Sequence, residues 1–466
     1  MNKKIFILLP DGIGIRNFVF TEFSDMGKEY GYDTVYWNNT DNDLSHLGYK
    51  EFKIQNSKIH PLTDILKKAK IQIALNQFIE KTNDKVFDTY RFTPQNGTLK
   101  FKIKNFAIRK IIKIFNSKRG LKSISNYIKF LERKTDFYKQ CFETLKEQQP
   151  AFVLCTNQRH TNAIAPLLAA QDLNIPTATF IFSWDNLPKA TMIVETDYYF
   201  VWSDFMKSEL LFYYPYIKFE QVYITGTPQF ESHFKASNVL EKEDFFNKNG
   251  LDLSKTYICF SGDDITTSPD DEQYLEDVAN SIKKINTGGY NLGIIFRRCP
   301  VDFSDRYDAV LKKYSDIIVP LNPLWKQCGA AWNTVMPTVE DMSMQVNIIA
   351  NSILVINLGS SMVFDFVTFK KPCLYLNYDV KNKKIKEWST LNIYNFIHFR
   401  SMPTKEAVVW INHADEISEK VELILKNGGS EIVKNTEKWF AKINQHPPQE
   451  ASGRIWKAII KIIKQG

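Results

Sequence analysis

Three short polar clusters in this chain carry residue types suited to group transfer. Thr156-Asn-Gln-Arg-His160 ends in an imidazole, which titrates near neutrality and can take a proton from a hydroxyl, or can serve only as a hydrogen-bonding loop residue. Phe296-Arg297-Arg298 ends an apolar run in two guanidinium groups, suited to bidentate phosphate contacts or to ion pairing. Gly359-Ser360-Ser361 follows the apolar run Ile353–Asn357 and precedes a short helical pattern. A glycine turn with serines at a helix start can cap that helix, and its amide N–H groups can face an anion. The next apolar run, Cys373–Leu376, leads to Asp379, an acid at the carboxyl end of a strand, where ribose hydroxyls are often held in open α/β sheets.

Four other segments belong with these. Asp11-Gly12-Ile-Gly14-Ile-Arg16-Asn17 follows the first apolar run; its glycines permit either a tight turn or close approach to a ligand. Ser183-Trp184-Asp185-Asn186 can stack on and hydrogen-bond a sugar, or Trp184 can pack between loops while Asp185 caps a turn. Ser261-Gly262-Asp263-Asp264 ends another strand where a phosphate or base can reach the backbone. The carboxylate pairs Asp263/Asp264 and Asp270/Asp271 lack a compact ligand set, so no metal is expected. Six scattered cysteines, without a CxxC or a Cys/His cluster, suggest neither disulfides nor structural zinc and fit a reducing cytoplasmic interior.

The elements that must position these clusters alternate in period. Short continuous apolar runs at Lys4–Leu9, Thr34–Trp37, Ala151–Thr156, Thr177–Phe182, Tyr198–Trp202 and Gln221–Thr225 read as buried parallel strands. A second set runs through Thr256–Gly262, Leu292–Arg298, Asp316–Pro320 and Ile353–Asn357, with helices expected from about 404 to 463. Between the sets, Lys235 to Ser254 reads as a charged linker with a short helix. With 466 residues, 44% of them hydrophobic and 14% aromatic, the chain is long and apolar enough for more than one core. The expectation is an α/β protein of two Rossmann-like domains with parallel sheets facing a cleft. The expected divisions are 1–235, 236–440 and an amphipathic helix over 441–466.

A helical insertion at about 60–148 interrupts the first set, and the charge is concentrated there. Lys100 to Gln140 holds thirteen Lys or Arg against Glu132 and Asp136, a net +11 where the whole chain has +8. Ile108, Ile111, Ile112 and Phe115 recur at helical spacing between cations, which points to an anionic membrane surface or to a solvated helix face. The final segment Arg454–Lys464 repeats the pattern and can alternatively cross back onto the first domain. No nucleic-acid motif is present, no run is long enough to span a membrane, and the N-terminal apolar run lacks signal-peptide features.

In order along the chain, Ser183-Trp-Asp-Asn186, Val201-Trp202, Ile224-Thr-Gly-Thr-Pro-Gln-Phe230, Arg297-Arg-Cys-Pro300 and Gly359-Ser-Ser-Met-Val-Phe-Asp365 with Lys371-Pro372 resemble elements of bacterial GT-B glycosyltransferases of the surface-polysaccharide type. Cys299 stands where that pattern commonly has His. The resemblance extends less closely to CDP-glycerol glycerophosphotransferases and nucleotide-sugar 2-epimerases. It implies an enzyme that moves a sugar from a nucleotide diphosphate to a glycan or lipid-linked acceptor; with the cysteine usage, the basic helical segment and the missing ligand set, the expectation is a cytoplasmic, peripherally membrane-bound enzyme that needs neither metal nor cofactor. Gly12, Gly14, Arg16, Asn17, Trp184 and Asn186 would hold the acceptor, with His160, Asp185 and Arg297 catalytic. Gly262, Arg297, Ser360, Ser361, Asp365 and Asp379 would hold the donor. A CDP-alcohol-dependent polyol-phosphate transferase and a non-catalytic nucleotide-sugar-binding protein are the alternatives.

Overall fold

The computed structural model describes residues 3–91, 97–328 and 334–465. The chain divides into two compact units: residues 1–228 with 443–466, and residues 229–442. The divisions therefore fall at 228/229 and 442/443, where 235/236 and 440/441 were expected.

Unit 1 is built on seven strands: β1 (Lys3–Leu9), β2 (Tyr32–Asn38), β3 (Glu51–Lys53), β4 (Phe152–Cys155), β5 (Thr177–Phe180), β6 (Tyr198–Val201) and β7 (Val222–Ile224). All pair in parallel in the order β3-β2-β1-β4-β5-β6-β7. The continuous apolar runs follow from this position: Ile5 to Leu9 are fully buried because the sheet is covered on both faces. Strand order reverses between β1 and β4, where Ile5 to Leu8 lie beside Phe152 to Cys155, so the crevice beyond their carboxyl ends is this unit's topological switch point.

Its helices are α1 (Gly12–Phe18), α2 (Phe23–Glu29), α3 (Thr63–Thr82), α4 (Leu99–Phe115), α5 (Lys118–Glu132), α6 (Asp136–Gln148), α7 (Ile164–Asp172) and α8 (Asp204–Tyr213). Helices α3 to α6 form the insertion between β3 and β4. The terminal helix Ala451–Gln465 also belongs to unit 1: Trp456 stacks on Phe23 at 5.0 Å and donates its Nε1–H to the Phe23 carbonyl.

Unit 2 has a six-stranded parallel sheet of β8 (Thr256–Ser261), β9 (Leu292–Arg297), β10 (Ile318–Pro320), β13 (Ser352–Asn357), β14 (Cys373–Leu376) and β15 (Val409–Ile411), ordered β10-β9-β8-β13-β14-β15. A separate antiparallel pair joins β11 (Lys326–Gln327) and β12 (Val335–Met336). The sheet's switch point lies between β8 and β13. Strand β15 falls inside the stretch expected to be helical: three residues are too few to show a period. Edge strand β3 is hidden for the same reason. No described helix is long and apolar enough to cross a membrane.

Candidate functional site

At the unit 1 switch point the segments after β1 and β4 meet through one carboxylate. Asp11 caps α1: its extended backbone leaves Oδ1 to accept the Gly14 N–H at 3.1 Å. Its Oδ2 accepts from Asn157 Nδ2 at 2.5 Å and lies 3.0 Å from His160 Nε2. Asp11 is 1% exposed. Burial pushes its pKa up, but His160, the Gly14 amide and Asn157 together hold it below the ordinary carboxylate value. The His160 ring is therefore oriented by an ionised acid, the arrangement that fixes an imidazole's tautomer. Asp11 and Asn157 were not singled out by the sequence, although an Asp three residues before a Gly directly after a strand is a cap signature.

The other unit 1 expectations divide. Gly12 and Gly14 lie in helix, not in an open loop, and both are buried. A Cβ on Gly14 would stand 2.3 Å from Thr156 Oγ1, so this glycine lets α1 approach the end of β4 and does not meet an acceptor. Asn17 is buried inside the unit, while Arg16 is half-buried. Trp184, 6% exposed, and Asn186 are buried, where a sugar-stacking surface was expected. Asp185 caps a turn, accepting from Ser183 Oγ at 2.5 Å and Asn186 Nδ2 at 2.7 Å and pairing with Lys189. Both oxygens of Asp185, expected to be catalytic, are thus engaged within its own turn.

In unit 2, Gly262 leaves β8 with its N–H on the Arg297 carbonyl, and a Cβ there would meet Tyr307 Oη at 2.9 Å and Asp271 Oδ2 at 3.1 Å. Asp263 follows. Its N–H bonds Asp271 Oδ2, its carbonyl accepts from Arg306 Nη2, and the Leu358 amide bonds its carboxylate. Burial, then the neighbouring Asp271 and Asp264, raise the Asp263 pKa well above the ordinary value; its Oδ2 is buried without a hydrogen-bond partner. Burial lifts Asp271 to about 6 against the Tyr307 hydroxyl and Arg306. These two carboxyls lie at the turn after β13, which the Leu358 amide joins to Asp263.

That turn is Leu358 to Ser361. Gly359 has φ +72°, the left-handed region that favours glycine, and a Cβ there would stand 3.0 Å from Phe399. The Ser360 N–H does not face outward as expected: it donates to Asn357 Oδ1 at 2.9 Å. Ser361 is the N-cap residue of helix Met362–Val367 but makes no side-chain cap bond. Asp365, 2% exposed, faces inward, accepting from Gln345 Nε2 at 3.1 Å and standing 3.4 Å from His233 Nε2, so a ribose contact is not open to it. Asp379 is spent on its own loop, accepting from the Thr390 N–H at 2.9 Å and Lys383 Nζ at 3.1 Å.

Arg297 is locked. Its Nη2 reaches Asp341 Oδ1 and Oδ2 at 3.1 and 2.9 Å, both side chains are about 5% exposed, and Asp341 also accepts from the Leu324 N–H and Trp325 Nε1. Its Nη1 is buried without an acceptor among the described residues. Burial pushes the Cys299 thiol up to about 12, which disfavours the thiolate. Lys371, from the Lys-Pro element, closes the end of helix Val339–Asn351 by donating to the Ile349 and Ala350 carbonyls. Among the described residues no group of three His, Cys, Asp or Glu side chains is placed to hold a metal ion.

No family model matches the chain. No curated protein matches it by sequence. Solved structures do match over its length. A putative UDP-N-acetylglucosamine 2-epimerase from Listeria monocytogenes superposes with TM-score 0.53 at 10% identity, covering 100% of this chain and 98% of that one. A glycosyltransferase from Rickettsia africae gives 0.52 at 11%, covering 99% of each. The wall teichoic acid polymerase TagF gives 0.50 at 10%, covering 100% and 89%. The chain has the α/β GT-B fold of these proteins, two parallel-sheet units flanked by helices.

Proposed function

We propose that this chain is a glycosyltransferase that moves a sugar from a nucleotide diphosphate to the hydroxyl of a glycan or lipid-linked acceptor. The observation that carries the reading is the Asp11–His160 pair at the switch point of unit 1, where open α/β sheets keep their ligands. In the reaction, His160 accepts the acceptor's hydroxyl proton and the freed oxygen attacks the anomeric carbon. The bond from that carbon to the diphosphate oxygen breaks, and the nucleoside diphosphate leaves with the electron pair. Asp11 holds the imidazole and stabilises its cation.

On unit 2 the half-buried Gly359–Ser361 turn at the carboxyl end of β13 would meet the diphosphate. The fold is shared with proteins named for a UDP-sugar epimerase, a glycosyltransferase and a teichoic acid polymerase, which is consistent with a nucleotide-sugar ligand.

Location at the inner membrane surface is part of the proposal. Helix α4 turns Ile108 into its bundle, and its outer side exposes Leu99, Ile103, Phe106 and Ile114 beside Lys102, Arg109, Lys110 and Lys113. Thermal shift against UDP-, GDP-, TDP- and CDP-linked ligands, followed by nucleotide release on a pooled glycan extract, tests the chemistry. Stabilisation by one nucleotide sugar with acceptor-dependent release is expected. A CDP-alcohol preference would move the chain to polyol-phosphate transfer, and stabilisation without release would make it a binder. Co-sedimentation with anionic vesicles, lost in high salt, tests the location.

A further inference from the structure

Within unit 1 a cavity of about 1110 Å³ opens between α3, the first turns of α5, the loop Ala190–Glu195 and the end of α8. This is slightly above the ~300–1,000 Å³ usual for small-molecule sites. Its inner wall is apolar and aromatic: Phe78, Met192 and Tyr214 are buried, and Leu121 and Tyr213 adjoin them. Its polar groups are segregated. At one end Glu195 is shared by Lys70 at 3.3 Å and Lys129 at 2.6 Å, so those charges are matched. At the other, Lys118, Arg119 and Lys122 line the cavity with no ion-pair partner among the described residues.

These three cations occupy the first turns of α5, the positive end of a helix dipole, and that turn holds no acid. Like charges gathered at a helix N-terminus repel one another, and a bound anion relieves that repulsion. The helix start is set rigidly: Ser117 caps the Gly120 N–H at 3.0 Å, and Asn116 Oδ1 accepts from Asn76 of α3 at 2.9 Å. Gly120 passes so close to Phe115 that a Cβ would stand 2.0 Å from its carbonyl oxygen. The exposed apolar stripe of α4 ends at this same turn, beside the cation cluster.

We propose that the cavity binds an amphiphile consisting of a single long hydrocarbon chain with a terminal phosphate or diphosphate. Its head meets Lys118, Arg119 and Lys122, and its tail lies against Phe78, Met192 and Tyr214. The loop Ala190–Glu195 is tied to the segment carrying His160, the Ile193 N–H donating to the Gln158 carbonyl at 3.1 Å, so under the transferase reading this ligand is the lipid carrier of the acceptor. That consequence rests on the transferase reading; the binding itself does not.

Calorimetric titration of the full chain with dodecyl phosphate below its micelle concentration tests it, with dodecanol, inorganic phosphate and inorganic diphosphate as separate arms. One-site binding of dodecyl phosphate is expected, at least tenfold tighter than any of the other three. Affinity should rise about threefold to fourfold per added methylene until the cavity is filled. K118A/R119A/K122A, changing surface side chains, should weaken dodecyl phosphate about tenfold or more and leave dodecanol unchanged. Ala74→Phe, which fills the apolar wall, should weaken dodecyl phosphate and leave inorganic diphosphate unchanged. Equal affinity in the wild type and the triple variant would overturn the proposal, as would inorganic phosphate or diphosphate binding as tightly as the amphiphile. No donor or turnover enters the measurement, so a protein that failed every transfer assay would still return a clear result.

Discussion

Asp11 does two jobs with one carboxylate, and the two can be separated. Asparagine is as good an N-cap as aspartate, so Asp11→Asn should keep α1 capped, while its amide, facing the Asn157 Nδ2 donor in a buried site, should cost roughly 1–3 kcal/mol of stability. It removes the negative charge that orients and stabilises the His160 ring, so turnover should fall roughly 10²-fold with the donor KM little changed. Steady-state kinetics beside a urea melt check both halves; unaltered turnover would detach the pair from the chemistry. Arg297 makes the opposite case. The sequence alone suggests that Arg297→Ala would lower activity and spare folding. Its ion pair with Asp341, 44 residues away and invisible as a pattern, changes that expectation. The variant would strand a buried carboxylate at a cost of roughly 3–5 kcal/mol, read as a lower urea midpoint. The types of these residues were legible in the sequence, but which atoms of each remain available was not.

At the scale of elements, the strands were legible because parallel strands buried on both faces leave continuous apolar runs, as in Ile5–Leu9 and Ile294–Phe296. The three-residue edges β3 and β15 were not, and the glycines after β1 read as an open loop because a helix beginning with Gly-x-Gly has little propensity. The insertion is fastened to the sheet by Glu195, which links the loop before β6 to Lys70 on α3 and Lys129 on α5. Burial works to raise the Glu195 pKa, and the two lysines overcome it and hold it at about 2. A carboxyl with a depressed folded pKa stabilises fully above its unfolded value and loses that contribution as pH falls through the folded one. Glu195→Gln should therefore lower unfolding free energy by on the order of 2–3 kcal/mol at pH 7. The gap from wild type should shrink from about pH 4.5 downward and nearly close by pH 2, as urea titrations across that range would reveal.

The whole molecule is two α/β units, one of them assembled from chain segments more than two hundred residues apart. The terminal helix repeats the basic, apolar composition of α4, yet its Ile455, Trp456, Ile459 and Ile462 are all buried. Composition does not separate a surface-seeking helix from one that docks; what decides is the berth, here Phe23, Tyr32 and Gly27, whose missing side chain admits the indole. Trp456→Ala should cost unit 1 about 3–5 kcal/mol, detected as loss of its cooperative melt at a lower temperature.

That berth also imposes an order on biosynthesis. The 214 residues of unit 2 leave the ribosome between the Phe23 surface and the helix that covers it. At about 5–20 residues per second the apolar patch stays open for roughly 10–45 s. Throughout that interval the nascent chain presents Phe23 and Tyr32 to whatever is nearby, so a holdase chaperone has its target on the first unit, although that unit's sheet is already complete.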